Sequence, residues 1–234
     1  MTSKDFVTMN MSYPPAPWHL DGTALASFQP IDLATAKQFI PIDFDIVSVL
    51  PGKTLGCLYL SAYEPSSTLQ YHELIVAPAL VSYRGKIGAW ISHIYVDNPQ
   101  SVEGGRNIWG LPKQMADFTW DDQQVTVSQD RNCLCRVDRS PLELPLSWWG
   151  NFKISGNVFG GLERDILSFQ GNVSSGPKWT PSSLTIPPSS PFASIDFSHS
   201  LCSVRLDRLH LTANAPSIVG QARSGLINSP NIMS

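Results

Sequence analysis

The sequence predicts a mainly β protein of the α+β class, with two or three short helices. Three observations carry that reading. From residue 45 onward apolar residues recur at every second position, the period of a strand. The runs that do so are rich in Val, Ile, Leu and Tyr, residues that pack well on a pleated surface. No stretch keeps a helical stripe long enough for a bundle or for the alternating helices of a doubly wound sheet.

Taken in order, residues 1–12 are polar and are expected to be a flexible N-terminus ahead of one domain over 13–234. Tyr13-Pro14-Pro15-Ala16-Pro17 reads as an extended entry segment, because proline fixes φ and supplies no N–H. Asp32 is placed to cap a short helix reaching about Ile40, with Leu33, Ala36, Phe39 and Ile40 at helical spacing and Pro41 ending it. The period then changes to two, and 46–50, 54–62, 71–83 and 86–96 read as strands. Arg84-Gly85 makes a hairpin turn between the last two, so 71–96 forms one long two-stranded ribbon. Pro99 ends the ribbon, and Gly104-Gly105 and Gly110 beyond it read as backbone turns. Strands are expected again at 118–120, 125–128 and 132–137, then at 163–170, 194–197 and 203–212. Prolines and paired serines make 184–191 a surface loop.

Composition closes off several classes of function. Charged residues are 15% of the chain and hydrophobic ones 42%, which excludes a disordered chain. Sixteen Lys and Arg face nineteen Asp and Glu with no basic run, so no nucleic-acid partner is expected. No apolar stretch nears the roughly 20 residues of a membrane helix, and residues 1–18 lack the apolar core of a secretory signal. A cytoplasmic protein with no membrane partner is the expectation. Cys57, Cys133, Cys135 and Cys202 form no CxxC pair and read as reduced thiols, so no metal site is expected. Cys133 and Cys135 alternate, which puts them on one face of a strand. Neither a Gly-x-Ser-x-Gly elbow nor a phosphate-binding glycine loop is present.

The chemistry concentrates at Lys113, set among Trp109, Leu111, Pro112 and Met115. Apolar surroundings disfavour the ammonium form and favour a free amine, the nucleophile that forms a Schiff base with a ketone. The alternative is a lysine that ends a turn and runs its stem out to water. His72 alternates with Glu73, so the two point to opposite faces. His93 and Tyr95 share a face and are placed to line a cavity, whereas His19, His199 and His210 read as structural or surface residues.

Gly105-Arg106 followed by Gly110-Leu111-Pro112-Lys113 resembles the lysine motif of the acetoacetate decarboxylase family. Tyr95-Val96-Asp97-Asn98 is similar to a segment that the family carries just upstream. Tyr71-His72-Glu73-Leu74-Ile75-Val76 is similar to the strand that brings a glutamate into its cavity, and the helix at 32–40 before a proline has its counterpart. The resemblance spans about residues 13–120. It implies an acetoacetate decarboxylase-like β-cone or barrel around a central apolar cavity. Lys113 would be the Schiff-base residue and Glu73 an acid/base or orienting carboxylate. Arg106 would hold the lysine loop by hydrogen bonds, with substrate contact second. Trp109, Tyr71, His93 and Tyr95 are expected at the substrate. A homo-oligomer is implied, and no metal or organic cofactor, because a lysine imine supplies its own electron sink.

Four departures shape the expected substrate. Gln114 stands where the family has a second lysine, and Asn107 where its motif has a glutamate. An ungapped match puts Leu58 at a second cavity glutamate. The first arginine is Arg84, so an N-terminal arginine for a substrate carboxylate has no counterpart. A bulky, largely apolar keto compound of polyketide or terpenoid type is therefore expected, a small molecule of secondary metabolism. Trp90, Trp109, Trp120, Trp148 and Trp149, with Tyr71 and Tyr95, are candidates for the cavity wall. The expected activity is that of a lyase: decarboxylation, retro-aldol cleavage or dehydration through a Lys113 imine. Two alternatives stand beside it. One is a cyclase or isomerase on the same scaffold without imine chemistry, the other a non-catalytic small-molecule binding protein.

Overall fold

The computed structural model describes residues 12–121, 123–146, 151–197 and 202–223. The expected flexible segment 1–12 lies, apart from Ser12, outside the described residues, as do Trp148, Trp149 and His199. The first half of the chain supplies β1 (Trp18–Asp32), β2 (Asp45–Ile46), β3 (Lys53–Tyr63), β4 (Tyr71–Ala77), β5 (Ala79–Tyr83), β6 (Lys86–Trp90), β7 (His93–Val96) and β8 (Lys113–Met115). After these come β9 (Asp117–Trp120), β10 (Gln124–Gln129), β11 (Asn132–Arg139) and β12 (Leu144–Pro145). The last strands are β13 (Phe152–Leu162), β14 (Asp165–Trp179), β15 (Ser182–Thr185), β16 (Cys202–Ala213) and β17 (Ser217–Gln221). Two short helices, α1 (Leu33–Ala36) and α2 (Pro99–Trp109), complete a mainly β fold.

The large sheet runs β2-β5-β6-β13-β14-β16-β1-β3-β4-β7-β8, with β12 and β17 both on β14. The ribbon expected at 71–96 decides its shape. Val76 lies opposite His93, Ala79 opposite Trp90 and Tyr83 opposite Lys86, all in one register. Pro78 and the Ile91-Ser92 step break it into two halves. The β4-β7 half joins β3, while the β5-β6 half joins β13 at the far end of the strand order. One ribbon thus contributes to both ends of the sheet and draws it into a cone. Hydrogen bonds do not close the described strands into a barrel. The turn is at Arg84-Gly85, both with positive φ, as expected.

The two faces of this sheet carry separate apolar clusters. One face is covered by the small sheet β15-β11-β10-β9 and by α1, over Leu58, Leu60, Leu74, Val76, Phe192 and Phe197. The other encloses Trp18, Tyr63, Tyr71, Ile94, Trp109 and Phe169, where the cavity lies. Among the described residues no helix is long and apolar enough to cross a membrane.

Several elements differ from expectation, each for a local reason. The 15-residue β1 went unread because both its faces are buried at mid-strand, which erases the polar alternation. Asp32 precedes α1 but does not cap it; its carboxylate pairs with Lys53 at 2.9 Å. The strand expected at 46–50 shortens to β2. Gly104 and Gly105 are no turns but the middle of α2, which Asn98 caps by accepting from the Gln100 and Ser101 N–H groups. Residues 194–197 hold a 3₁₀ turn (Ala193–Ile195) rather than a strand, and Leu184 and Thr185 belong to β15 rather than to a loop. Glu163, at φ 54°, turns the β13-β14 hairpin instead of starting a strand. A bulge between Val127 and Ser128 breaks the alternation at Cys133 and Cys135, leaving the first half-buried and the second buried.

Candidate active site

Register alone assembles the site. Tyr59, Ile75, Ile94 and Lys113 form one row across β3, β4, β7 and β8. Ser61 and Glu73 face each other in the next row, Tyr63 and Tyr71 in the one after. Side chains two apart on a strand share a face, so these rows project together. They meet α2, whose first turn brings Ser101 and whose middle brings Gly105 onto the same spot.

Lys113 Nζ lies 2.8 Å from Glu73 Oε1 and 2.9 Å from Ser101 Oγ. Both partners of the ion pair are sealed from solvent, with side chains 4% and 5% exposed. Tyr63 donates to Glu73 Oε2 at 3.1 Å. The ammonium also stands 4.9 Å from the Tyr71 ring centre and 5.6 Å from that of Trp18. Lys113 is therefore not a lysine in purely apolar surroundings, and it does not reach water along its stem. Met115, expected beside it, is exposed.

Two glycines make the geometry possible. A Cβ on Gly105 would stand 2.4 Å from Lys113 Cδ, so only glycine lets the helix lie on the lysine stem. Gly110 ends α2 at φ 63° and accepts from the Gly161 N–H at 3.0 Å, an approach that a side chain would block.

A cavity of about 520 Å³ opens from this cluster, within the range of small-molecule sites. Apart from the cluster, Tyr59 and Asn157, its wall is apolar, with Leu20, Phe28, Leu55, Ile91, Phe169 and Leu211 among its residues. Lys113 and Glu73 are the charged groups among the described residues that line it. Burial pushes the Cys57 thiol in the wall up to about 12, so it is no nucleophile. Burial likewise holds the Tyr63 and Tyr71 phenols well above their ordinary range, which keeps them protonated.

The structure brings together Lys113, Glu73, Tyr71 and Trp109 of the residues expected at the site. Trp109 packs edge-on to Trp18 at 4.8 Å and donates to the Asn214 carbonyl at 2.8 Å. Arg106 stays outside the lining and donates from Nε to the Lys113 carbonyl at 2.7 Å, holding the lysine strand. His93 and Tyr95 share a face, but it is the one away from the cavity. Ile94 turns to the cavity, while His93 packs on Phe39 and Phe192, and Tyr95 on Phe192. Trp90 also lies in the cluster on that face, beneath the small sheet, and Trp120 stacks on His72. His72 points away from Glu73, as alternation requires, and holds Asp97 at 2.6 Å. Burial works against the Asp97 carboxylate, but hydrogen bonds from His72 hold it below its ordinary range.

At the departures, Asn107 is exposed and Gln114 is half-buried, bonded to Gln129 rather than to the cavity. Leu58 faces the cluster beneath the small sheet, so the cavity positions on that strand are Leu55, Cys57 and Tyr59. Trp18, Tyr59, Tyr63 and Ser101 escaped the sequence reading. The alternation of β3 carried a signal for the two tyrosines, but nothing marked which face was inward.

The fold is also found in solved structures. Acetoacetate decarboxylase from Legionella pneumophila superimposes with a TM-score of 0.74 at 15% identity, over 91% of this chain and 90% of that one. The enduracididine biosynthesis enzyme MppR, complexed with pyruvate, gives 0.68 at 13%, over 92% and 95%. At such identities the likeness is one of fold. The acetoacetate decarboxylase (ADC) family model matches residues 6–144, and the chain belongs to that family. The NEOXANTHIN-DEFICIENT 1 protein of Arabidopsis thaliana is 32% identical over 111 residues, which is 47% of this chain and 39% of that protein. Its Solanum lycopersicum namesake is 31% identical over 119 residues, 51% and 40% of the two. The match thus spans about two-fifths of the length of these curated relatives.

Proposed function

We propose that the chain is an enzyme acting on an uncharged, bulky, largely apolar carbonyl compound through an imine on Lys113. One observation carries the reading: a buried amine 2.8 Å from a buried carboxylate at an apolar cavity. A proton shared along that hydrogen bond can pass to Glu73, leaving two neutral groups where a charged pair is costly to bury. The freed amine adds to the carbonyl carbon, the carbonyl oxygen takes up a proton, and loss of water gives the protonated imine. That cation draws in the electron pair of an adjacent bond, a C–C bond in retro-aldol cleavage or a C–H bond in dehydration. In retro-aldol cleavage the resulting enamine is protonated at carbon. In dehydration it expels the β-hydroxyl, which leaves as water with the proton that was removed. In both cases hydrolysis of the imine then frees the amine.

Charge selects among the reactions that such an imine allows. A substrate carboxylate would meet Glu73 and, among the described lining residues, no cation but the one that must become neutral. Retro-aldol or dehydration chemistry on a neutral compound therefore suits this cavity better than decarboxylation. The names of the curated relatives are compatible with an apolar isoprenoid substrate.

Borohydride reduction in the presence of a ketone panel, followed by peptide mass spectrometry, tests the reading. An adduct on Lys113, lost in Lys113→Ala, is expected. A folded protein that binds apolar ketones yet traps none overturns it. A second reading has its own support, because Nζ is already engaged by Glu73, Ser101 and two aromatic faces. The pair would then act as acid and base on a substrate undergoing isomerisation or cyclisation. Turnover that survives in Lys113→Arg, which keeps the charge but forms no imine, would favour it.

A further inference from the structure

Ile87 and Ile154 line the cavity and are nonetheless more than half exposed, so they stand at its mouth. The opening lies where two strands part. β6 and β13 run parallel but pair only from Gly88 and Asn157 onward, where the Asn157 amide donates to the Ile87 carbonyl at 2.9 Å. Ahead of that point both strands project, and residues 84–87 and 151–156 are exposed without a break. Phe152, on the same face of β13 as Ile154, is also more than half exposed. Three large apolar side chains together at one opening mark a contact surface.

The charge around them is one-sided. Arg84 and Lys86 precede Ile87, Lys153 lies between Phe152 and Ile154, and neither 84–90 nor 151–162 holds an acid. Among the described residues no carboxylate pairs with Lys86 or Lys153, and Arg84 donates to the Val219 carbonyl. By register the acid on this side is Asp45, opposite Ser82, which is itself opposite Ile87. Three cations against one acid make a positive rim on a chain whose net charge is −3. A second copy seated rim to rim would set like charges together. A bilayer surface that carries anionic lipid offers both a hydrocarbon interior and the opposite charge.

We propose that the cavity mouth docks on the surface of an anionic lipid bilayer and takes its apolar substrate from there. A compound dissolved in lipid then enters between Ile87 and Ile154 without crossing water. The contact is peripheral. The expectation of no membrane partner rested on the lack of a spanning segment, which such docking does not need. This inference rests on the cavity being the substrate site, and not on the imine.

The test uses vesicles of phosphatidylcholine, alone or with about one-third phosphatidylglycerol, and reads bound protein by flotation with no ketone present. Binding to the anionic vesicles is expected to be tighter by about tenfold or more, the scale of a few cations at a charged surface. Phe152→Ser should weaken binding to both compositions by about tenfold. Lys86→Glu with Lys153→Glu should erase the difference between them. Both variants should keep the wild-type affinity for a water-soluble ketone, read from the fluorescence of Trp18 and Trp109 in the cavity wall. Lys113→Ala should bind vesicles as the wild type does, so failure of the imine reading would appear as no trapped adduct with docking intact. No binding to either vesicle, or binding indifferent to both variants, would overturn the proposal. So would a dimer in analytical ultracentrifugation that Phe152→Ser dissociates, which would assign the rim to a second copy.

Discussion

Lys113 carries its meaning through the groups it touches. Because Glu73 is as buried as the lysine, removing either partner strands a charge. Lys113→Ala should therefore lose about 3–5 kcal/mol in denaturant unfolding. The volume-matched pair Lys113→Met with Glu73→Gln should recover most of that loss while remaining inactive. Equal stability of the single and double variants would show that the two groups are not coupled. Gly105 gives a sharper test at the same scale, since its missing side chain is what admits the lysine stem. Gly105→Ala should cut the rate of borohydride trapping by about tenfold or more, as expected when a reacting group is misplaced by roughly 1 Å. It should leave the circular dichroism spectrum unchanged. The glycine was visible in the sequence as part of a motif; its reason, the contact with Lys113, was not.

At the scale of an element, α2 shows how a motif is divided between structure and chemistry. Tyr95 packs in the cluster away from the cavity, Asp97 holds His72, and Asn98 caps the helix. These residues read like a signature of function, yet they position rather than react. Asn98→Ala should cost about 1 kcal/mol, the worth of an N-cap. It should also loosen the first turn, and with it Ser101, so trapping at Lys113 should slow while apolar ketones still bind. An unchanged trapping rate would separate the cap from the site. Arg106 belongs to the same class, since it reaches the Lys113 carbonyl and not the cavity. The helix itself was obscured because two consecutive glycines are poor helix formers, and tertiary contacts with Trp18 and Lys113 overrode that propensity.

Across the whole molecule, the sheet separates a cavity face from a structural one. His93 belongs to the structural face, where burial lowers its ring to about 4 from an ordinary 6.5. The unfolded chain therefore binds a proton between those values that the folded chain refuses. Stability should fall as pH drops from about 6.5 toward 4, by up to about 3 kcal/mol. His93→Leu should flatten that part of the profile; an unaltered acid limb would mean that other groups set it. Much of this molecule was legible in the sequence by itself. Local patterning determined the β class, the ribbon and its turn, and the opposite facings of His72 and Glu73. The motif pointed to Lys113, Glu73 and Arg106 as candidates. Only the tertiary structure decided which face of each strand is the cavity, because a period of two is identical for both faces when both are buried. That choice sent His93 and Tyr95 away from the site and brought Tyr59, Ser61 and Tyr63 to it. It also set Glu73 against Lys113, forty residues apart, through strand pairings that no local pattern records.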